Sequence, residues 1–335
     1  MKESVRRTAV ALVAWLAAAP APAKAEAEHA VLAMPAVTIA FLAEYIAEDM
    51  HFWDQRGLEV KTAFLAGVAS MNAVISGSAD FSFSSGASIT RAAAHGQKLV
   101  TIASLNNTPG EYVVLRKDLA EAGHFDPRAP LAERAKLLKG RRFAIGGVAS
   151  ISDAYLKVVA KTAGLGPSDI VVTPMQPPDM LSALARNAVD GFSLGPPWAQ
   201  TVVASGQGVI VADGVHGEPA QYVPFSSAIL VTRPQFCAEH RSVCVKIGGG
   251  IVDAVNFIHD HRAESLALLQ KRFATLDPAV LAASFDAVTA MLPRPPVTTA
   301  AGLANADKMN ADAGLMRGED ALASYDSLFD NQFVQ

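Results

Sequence analysis

Short apolar runs alternate along this chain with stretches whose apolar positions recur every three to four residues, so the pattern reads as strand, helix, strand, helix. Residues 31–34 are strand-like and are followed by a helix over 38–50; Gly57-Leu58-Glu59-Val60-Lys61 then reads as a turn and a strand. A helix over 71–75 ends at Gly77, Asp80-Phe81-Ser82-Phe83 is a short alternating strand, and a helix over 88–94 stops at Gly96 before a strand over 99–104. The same grammar returns: strand 142–145, helix 153–162, a turn at Gly164-Leu165, strand 170–172, helix 180–185, strand 189–193, helix 199–204 and strand 209–211. Alternation of this kind is the signature of parallel α/β layers.

The two series superpose in sequence. Asp80 and Asp190, Gly96 and Gly206, and Gln97 and Gln207 each stand 110 positions apart, as do Ala73 and Ala183, and Ala94 and Ala204. The expectation is two lobes of similar build with a cleft between them, a favoured place for small-molecule sites. After the second series, residues 227–232 are strand-like and the rest is mostly helical, over 243–259, 262–273, 279–291 and 300–316, broken by Pro293-Arg294-Pro295-Pro296. The simplest topology leaves the first lobe near 107–111, builds the second, recrosses near 223–227 and packs the late helices back on the first. That gives residues 28–108 plus 228–335 to lobe one and 109–227 to lobe two.

The amino-terminal residues set the expected compartment. Lys2, Arg6 and Arg7 precede an apolar run over 9–19, and Ala23-Lys24-Ala25 fits a small-x-small cleavage site. These are the three parts of a secretory signal over residues 1–25, with a core too short to span a bilayer. Removal near Ala25 leaves about 310 residues in the periplasm, enough for two domains. A net charge of −4 with no basic cluster after the signal argues against a nucleic-acid partner. The only cysteines, Cys237 and Cys244, lie in the exported part, where disulfides form. Seven residues of unbroken helix rise about 10 Å, beyond the reach of a bridge. A disulfide therefore needs a break at His240-Arg241-Ser242, with Ser242 capping the next helix, and two separately buried thiols are the alternative.

Four segments carry a family likeness: residues 49–60 around His51-Phe52-Trp53 and Gly57-Leu58-Glu59-Val60, then Ser76-Gly77-Ser78-Ala79-Asp80-Phe81, Lys139-Gly140-Arg141-Arg142-Phe143-Ala144-Ile145, and Val189-Asp190-Gly191-Phe192. In order and spacing they resemble the nitrate/sulfonate/taurine-type (SsuA/THI5-like) substrate-binding proteins of ABC transporters, across nearly all of the mature chain. The resemblance implies an α/β fold of the periplasmic binding protein type II kind, with two lobes, a cleft and crossover segments. It implies a small-molecule ligand, a permease and an ATPase at the inner membrane as partners, a monomer, and neither a cofactor nor catalysis. Carried over by position, the ligand loops are Met34, Pro35, Ala36 and Thr38; Ser84, Ser85 and Gly86; Asn106 and Asn107; Ser150, Ile151 and Ser152; and Gly195, Pro196 and Trp198.

Helix-start amides and serine hydroxyls in such loops suit a ligand oxygen, although Ser150 with Asp153 also reads as a capping pair. The loops hold no Lys or Arg, while Glu44, Glu111 and Asp153 lie in or beside them, which favours a neutral, zwitterionic or weakly acidic organic ligand over nitrate or sulfate. Phe41, Phe83 and Trp198 are candidates to pack its body. Two enzyme readings compete. Gly191-Phe192-Ser193-Leu194-Gly195 matches the G-x-S-x-G pattern of serine esterases, with His216 and Asp213 as imitation partners, but only two strand residues precede its first glycine. A pyrimidine-precursor enzyme on the same fold is disfavoured by the export signal. His259-Asp260-His261 has the wrong spacing for a metal on one helix face.

Overall fold

The computed structural model describes residues 27–65 and 67–335; the expected signal segment and its cleavage point at Ala25 lie outside them. Among the described residues, ten strands form two five-stranded sheets of one design. The first contains β1 (Glu28–Met34), β2 (Leu58–Phe64), β3 (Phe81–Ser84), β4 (Val100–Asn106) and β10 (Ser227–Thr232), in the order β2-β1-β3-β10-β4. The second contains β5 (Tyr112–Arg116), β6 (Arg141–Ile145), β7 (Ile170–Pro174), β8 (Gly191–Leu194) and β9 (Gly208–Asp213), in the order β7-β6-β8-β5-β9. In each sheet the three strands at one end run parallel and the fourth runs antiparallel to both its neighbours. The central strands are covered on both faces, so that in β3 and β8 the serines Ser82 and Ser193 are as fully buried as Phe81, Phe83 and Phe192.

The repeat seen in the sequence has a structural basis. Asp80 accepts a hydrogen bond from the Val31 amide at 2.8 Å while its own amide donates to the Val31 carbonyl at 3.0 Å. Asp190 does the same with Arg142, at 2.9 and 2.8 Å. Each aspartate therefore closes the turn into its strand and ties that strand to its parallel neighbour, β1 for Asp80 and β6 for Asp190. Gly96 and Gly206 both adopt positive φ after matching helices, and the amides of Gln97 and Gln207 donate to Ala92 and Val202 at the same offset.

The chain passes between the sheets twice, over 107–111 and 214–226, and the two crossings are bonded to each other. Gly110 donates to the Gly214 carbonyl, Gly214 donates to the Glu111 carbonyl at 2.9 Å, and Phe225 donates to the Asn107 carbonyl at 2.8 Å. Helix Ala300–Asp312, expected to pack on the first lobe alone, touches both. Its Asn310 donates to the Ala87 carbonyl at 2.8 Å on one side, and its Asp312 accepts from Tyr222 at 2.8 Å and Lys161 at 2.9 Å on the other.

Several element bounds differ from the sequence reading. The helix expected over 38–50 opens as a 3-10 turn, Ile39–Phe41, before helix Leu42–Asp49 begins, because Thr38 caps the turn. The helix expected over 88–94 starts at Gly86, with Ser85 as its cap, and the last long helix stops at Asp312 instead of residue 316. Strand β5 was not anticipated. Cys237 and Cys244 are bridged with Cα atoms 5.6 Å apart. The break that permits it is His240 alone, between helices Pro234–Glu239 and Arg241–Asp260. Ser242 is not the cap; it sits inside the second helix and donates to Glu28 at 2.7 Å.

Candidate functional site

A cavity of about 200 Å³ lies between the two sheets, where both sets of parallel strands end and the crossings begin. Open α/β sheets place ligands outside the carboxyl ends of their strands, and the lining follows that rule in both lobes. From the first come Pro35, Ala36, Val37 and Thr38 after β1, Gly67, Val68, Ser70 and Met71 after β2, Ser84, Ser85 and Ser88 after β3, and Asn106 at the end of β4. From the second come Gly146 and Ser150 to Ser152 after β6, Gln176 and Pro177 after β7, and Leu194, Gly195 and Trp198 after β8. Pro109, Gly110 and Glu111 of the first crossing and Ser227 and Ala228 of the return strand complete it. The Phe41 and Phe83 rings, with centroids 5.1 Å apart, form an aromatic wall.

Helix starts converge here. Ser85 accepts from the Ser88 amide at 3.2 Å, and Ser150 accepts from the Asp153 amide at 3.4 Å. The pairing at 150–153 is a shifted capping box: Asp153 takes the Ala149 amide at 2.8 Å instead of that of Ser150. It also holds Lys157 at 3.0 Å. Ser150 and Ser152 hydroxyls lie 2.8 Å apart, and Ser152 accepts from the Gly146 amide at 3.0 Å. Capping thus occupies part of the hydrogen-bonding capacity of Ser85, Ser150 and Ser152. Three other lining residues have buried polar atoms without a partner: Asn106 Oδ1, Glu111 Oε2 and Trp198 Nε1. Such atoms are rare in native interiors, and burial pushes the Glu111 carboxyl up to about 8.

Four residues expected in the site do not border the cavity. Met34 is fully buried as a core side chain of β1. The Gly86 amide donates to the Ser226 carbonyl at 2.8 Å, and Asn107 serves the crossing through its backbone. Pro196 offers its carbonyl to the Thr38 hydroxyl at 2.7 Å, a bond from one lobe to the other. Glu44, read as adjacent, also lies away from the cavity, on helix Leu42–Asp49 where Thr62 donates to it at 3.2 Å. The loops after β2 and β7 were missed. The repeat could have found them, since Gly67 and Gln176 are the caps of helices Val68–Ser76 and Pro177–Ala185 and lie close to the offset of 110 from each other.

The G-x-S-x-G segment lacks the geometry of a nucleophile elbow. Ser193 is fully buried inside β8, which itself begins at Gly191, so no strand precedes the first glycine. Both glycines have packing reasons: a Cβ on Gly191 would meet the Val114 carbonyl at 2.2 Å, and one on Gly195 the Gly110 carbonyl at 2.8 Å. His216 and Asp213 bond to each other at 2.8 Å in an exposed loop. In the other candidate cluster, the three side chains face three partners. His259 lies 3.1 Å from the Leu292 carbonyl, Asp260 pairs with Arg294 and His261 stacks on Phe257.

Comparison with solved structures returns the same two-lobed build. A protein of Bordetella bronchiseptica RB50 matches with a TM-score of 0.77 at 21% identity, over 92% of this chain and 96% of that one. The alkanesulfonate-binding protein SsuA of Xanthomonas axonopodis pv. citri, bound to MOPS, matches at 0.68 and 18%, over 90% and 97%. The nitrate-binding protein NrtA of Synechocystis PCC 6803 matches at 0.63 and 17%, over 76% and 69%. Comparison with curated protein sequences yields no match. These likenesses establish a periplasmic binding protein fold of type II kind, and residues 23–270 match the profile of one family within it. With both sheets and most of the cavity lining inside the matched span, this chain belongs to the NMT1-like family.

Proposed function

We propose that the chain is an extracytoplasmic solute-binding protein that captures a small organic molecule between its lobes and delivers it to an ABC importer. The observation that carries this reading is one cavity lined from both sheets by the loops at the ends of their parallel strands, with Asn106, Glu111 and Trp198 among its wall residues. Pro35, Ala36, Thr38, Ser84, Ser85, Ser150, Ile151, Ser152 and Gly195 complete the proposed site. The lobes that close on it are residues 28–108 with 228–335, and 109–227. The SsuA and NrtA relatives are named for alkanesulfonate and nitrate binding, which supports solute capture as the role.

Export through the leader over residues 1–25 would release a periplasmic chain beginning near Glu26, and among the described residues no helix is long and apolar enough to cross a membrane. Its partners would be the permease and ATPase of the importer, approached by a monomer. Mass spectrometry of a periplasmic extract should find the shortened chain; the intact 35.1 kDa species in the membrane fraction would contradict export. Function is tested by thermal-shift screening of the mature protein against organic acids, sulfonates, amines and pyrimidines. A ligand that binds only the native state raises the melting temperature, so one class should stand out. Ester turnover that disappears in Ser193→Ala would overturn the binding reading in favour of catalysis.

A further inference from the structure

Glu111 is the only ionisable side chain among the described residues that border the cavity. It ends the first crossing, where its carbonyl is held by the Gly214 amide, and its residue is 8% exposed. Its Oε2 has no hydrogen-bond partner, and Asn106 Oδ1 is a second unpartnered acceptor. Nearby charged groups are already engaged. Arg91 donates to the Ala149 carbonyl and Asn310, Arg134 pairs with Glu218, and Lys157 pairs with Asp153. On the packed neighbours, Tyr155 donates its hydroxyl to the Glu218 carbonyl, Tyr112 accepts from Gln200, and Asp213 is bonded to His216. Among the described residues, no lysine or arginine lines the cavity to neutralise Glu111.

An anion entering this space would meet a carboxyl group and no cation. We infer that the cavity selects a solute with a singly charged cationic nitrogen head group, an ammonium or amidinium, on a flat apolar body, with Glu111 as the counter-charge; this rests on the solute-binding role proposed above. The Phe41 and Phe83 rings offer their faces to the body, where a cation also gains from the ring electrons. The volume of about 200 Å³ admits a molecule on the order of ten non-hydrogen atoms. Because burial raises the Glu111 carboxyl to about 8, the empty site holds a proton at neutral pH, and the arriving cation expels it to solvent.

The test uses three probes with one phenyl body and heads of charge +1, 0 and −1: benzamidine, benzamide and benzenesulfonate. Calorimetric titration of the mature full-length protein between pH 6 and 9 should show benzamidine binding, tightening by close to tenfold per pH unit below about pH 8 and levelling above it. Repeating the titration in two buffers of different ionisation heat should show nearly one proton released per molecule bound at pH 6.5. Glu111→Gln, with an unchanged circular dichroism spectrum, should weaken benzamidine at least tenfold at pH 8 and flatten its pH profile. The proton count needs no variant and stands if Glu111→Gln does not fold. Equal or tighter binding of benzamide or benzenesulfonate, or benzamidine binding without proton release, overturns the cation assignment and leaves solute capture intact. Silence toward all three, with a solute of another class found by thermal shift, also overturns the cation assignment and leaves solute capture intact.

Discussion

A carboxyl group sealed from water and unpaired with a cation titrates on terms set by the fold, and among the described residues neither Glu44 nor Glu111 forms an ion pair. Burial raises Glu44 to about 7, helped by the negative Glu48 nearby and opposed by Arg272, and burial alone raises Glu111 to about 8. Unfolded, each loses its proton near the ordinary 4.5. Between those values the folded protein holds protons that the unfolded chain has released, so stability is complete at low pH and declines as pH rises through the window, by at most about 1.4 kcal/mol per unit for each group. The melting temperature of the empty protein should therefore fall from pH 5 to pH 8, and Glu111→Gln should fall less and stop near pH 7; parallel curves would contradict the burial of Glu111. Ser193 offers a simpler case. Its hydroxyl is buried in β8 without a partner, so Ser193→Ala should change stability by less than about 1 kcal/mol and leave any background hydrolysis of a nitrophenyl ester unaltered. The chemistry of these residues was only partly legible in the sequence. Glu111 stood out as an acid beside the loops, but its isolation from every cation depends on which neighbours pair with each other, and that is decided by packing.

At the scale of elements, the paired aspartates mark why the repeat could be read. Asp80 and Asp190 each satisfy a strand amide that would otherwise be orphaned, so both lobes hold the same residue at the same place. For Asp190, burial works against ionisation, but hydrogen bonds from the Arg142 side chain and backbone outweigh it and hold the carboxyl below its usual range. Asp80→Ala and Asp190→Ala should each cost about 1–3 kcal/mol in chemical denaturation; a neutral result for either would mean the clamp is not needed. Strand β5 escaped the sequence reading although Tyr112-Val113-Val114-Leu115 is strand-like, because it lies outside the repeat. Its counterpart in the other sheet is β10, which the chain forms only after it has built the second lobe. The long helix Arg241–Asp260 was legible despite Gly248-Gly249-Gly250 at its centre. Those glycines have a spatial reason, since a Cβ on Gly250 would lie 2.2 Å from the Trp53 ring, whose Nε1 donates to the Ile247 carbonyl at 3.1 Å. Gly250→Ala should consequently destabilise the fold by about 1–3 kcal/mol through overpacking, although alanine favours helices by about 1 kcal/mol.

For the whole molecule, function depends on how two similar lobes share one cavity. Among the hydrogen bonds that join them are those from Thr38 to the Pro196 carbonyl and from Arg91 to the Ala149 carbonyl, each at 2.7 Å. Helix Ala300–Asp312 braces both. The likeness of the lobes was visible from the offset of 110, whereas these cross-lobe ties were not, because they join residues with no shared periodicity. A clamp of this kind is expected to favour its closed population when a ligand contacts both halves. Hydrogen–deuterium exchange, with and without the compound giving the largest thermal shift, tests capture between the lobes most directly. Exchange should slow together in 35–41 and 84–88 of one lobe, in 149–152 and 195–198 of the other, and in the crossing at 107–111. Protection confined to one lobe, or appearing only away from these segments, would contradict a solute held between the two.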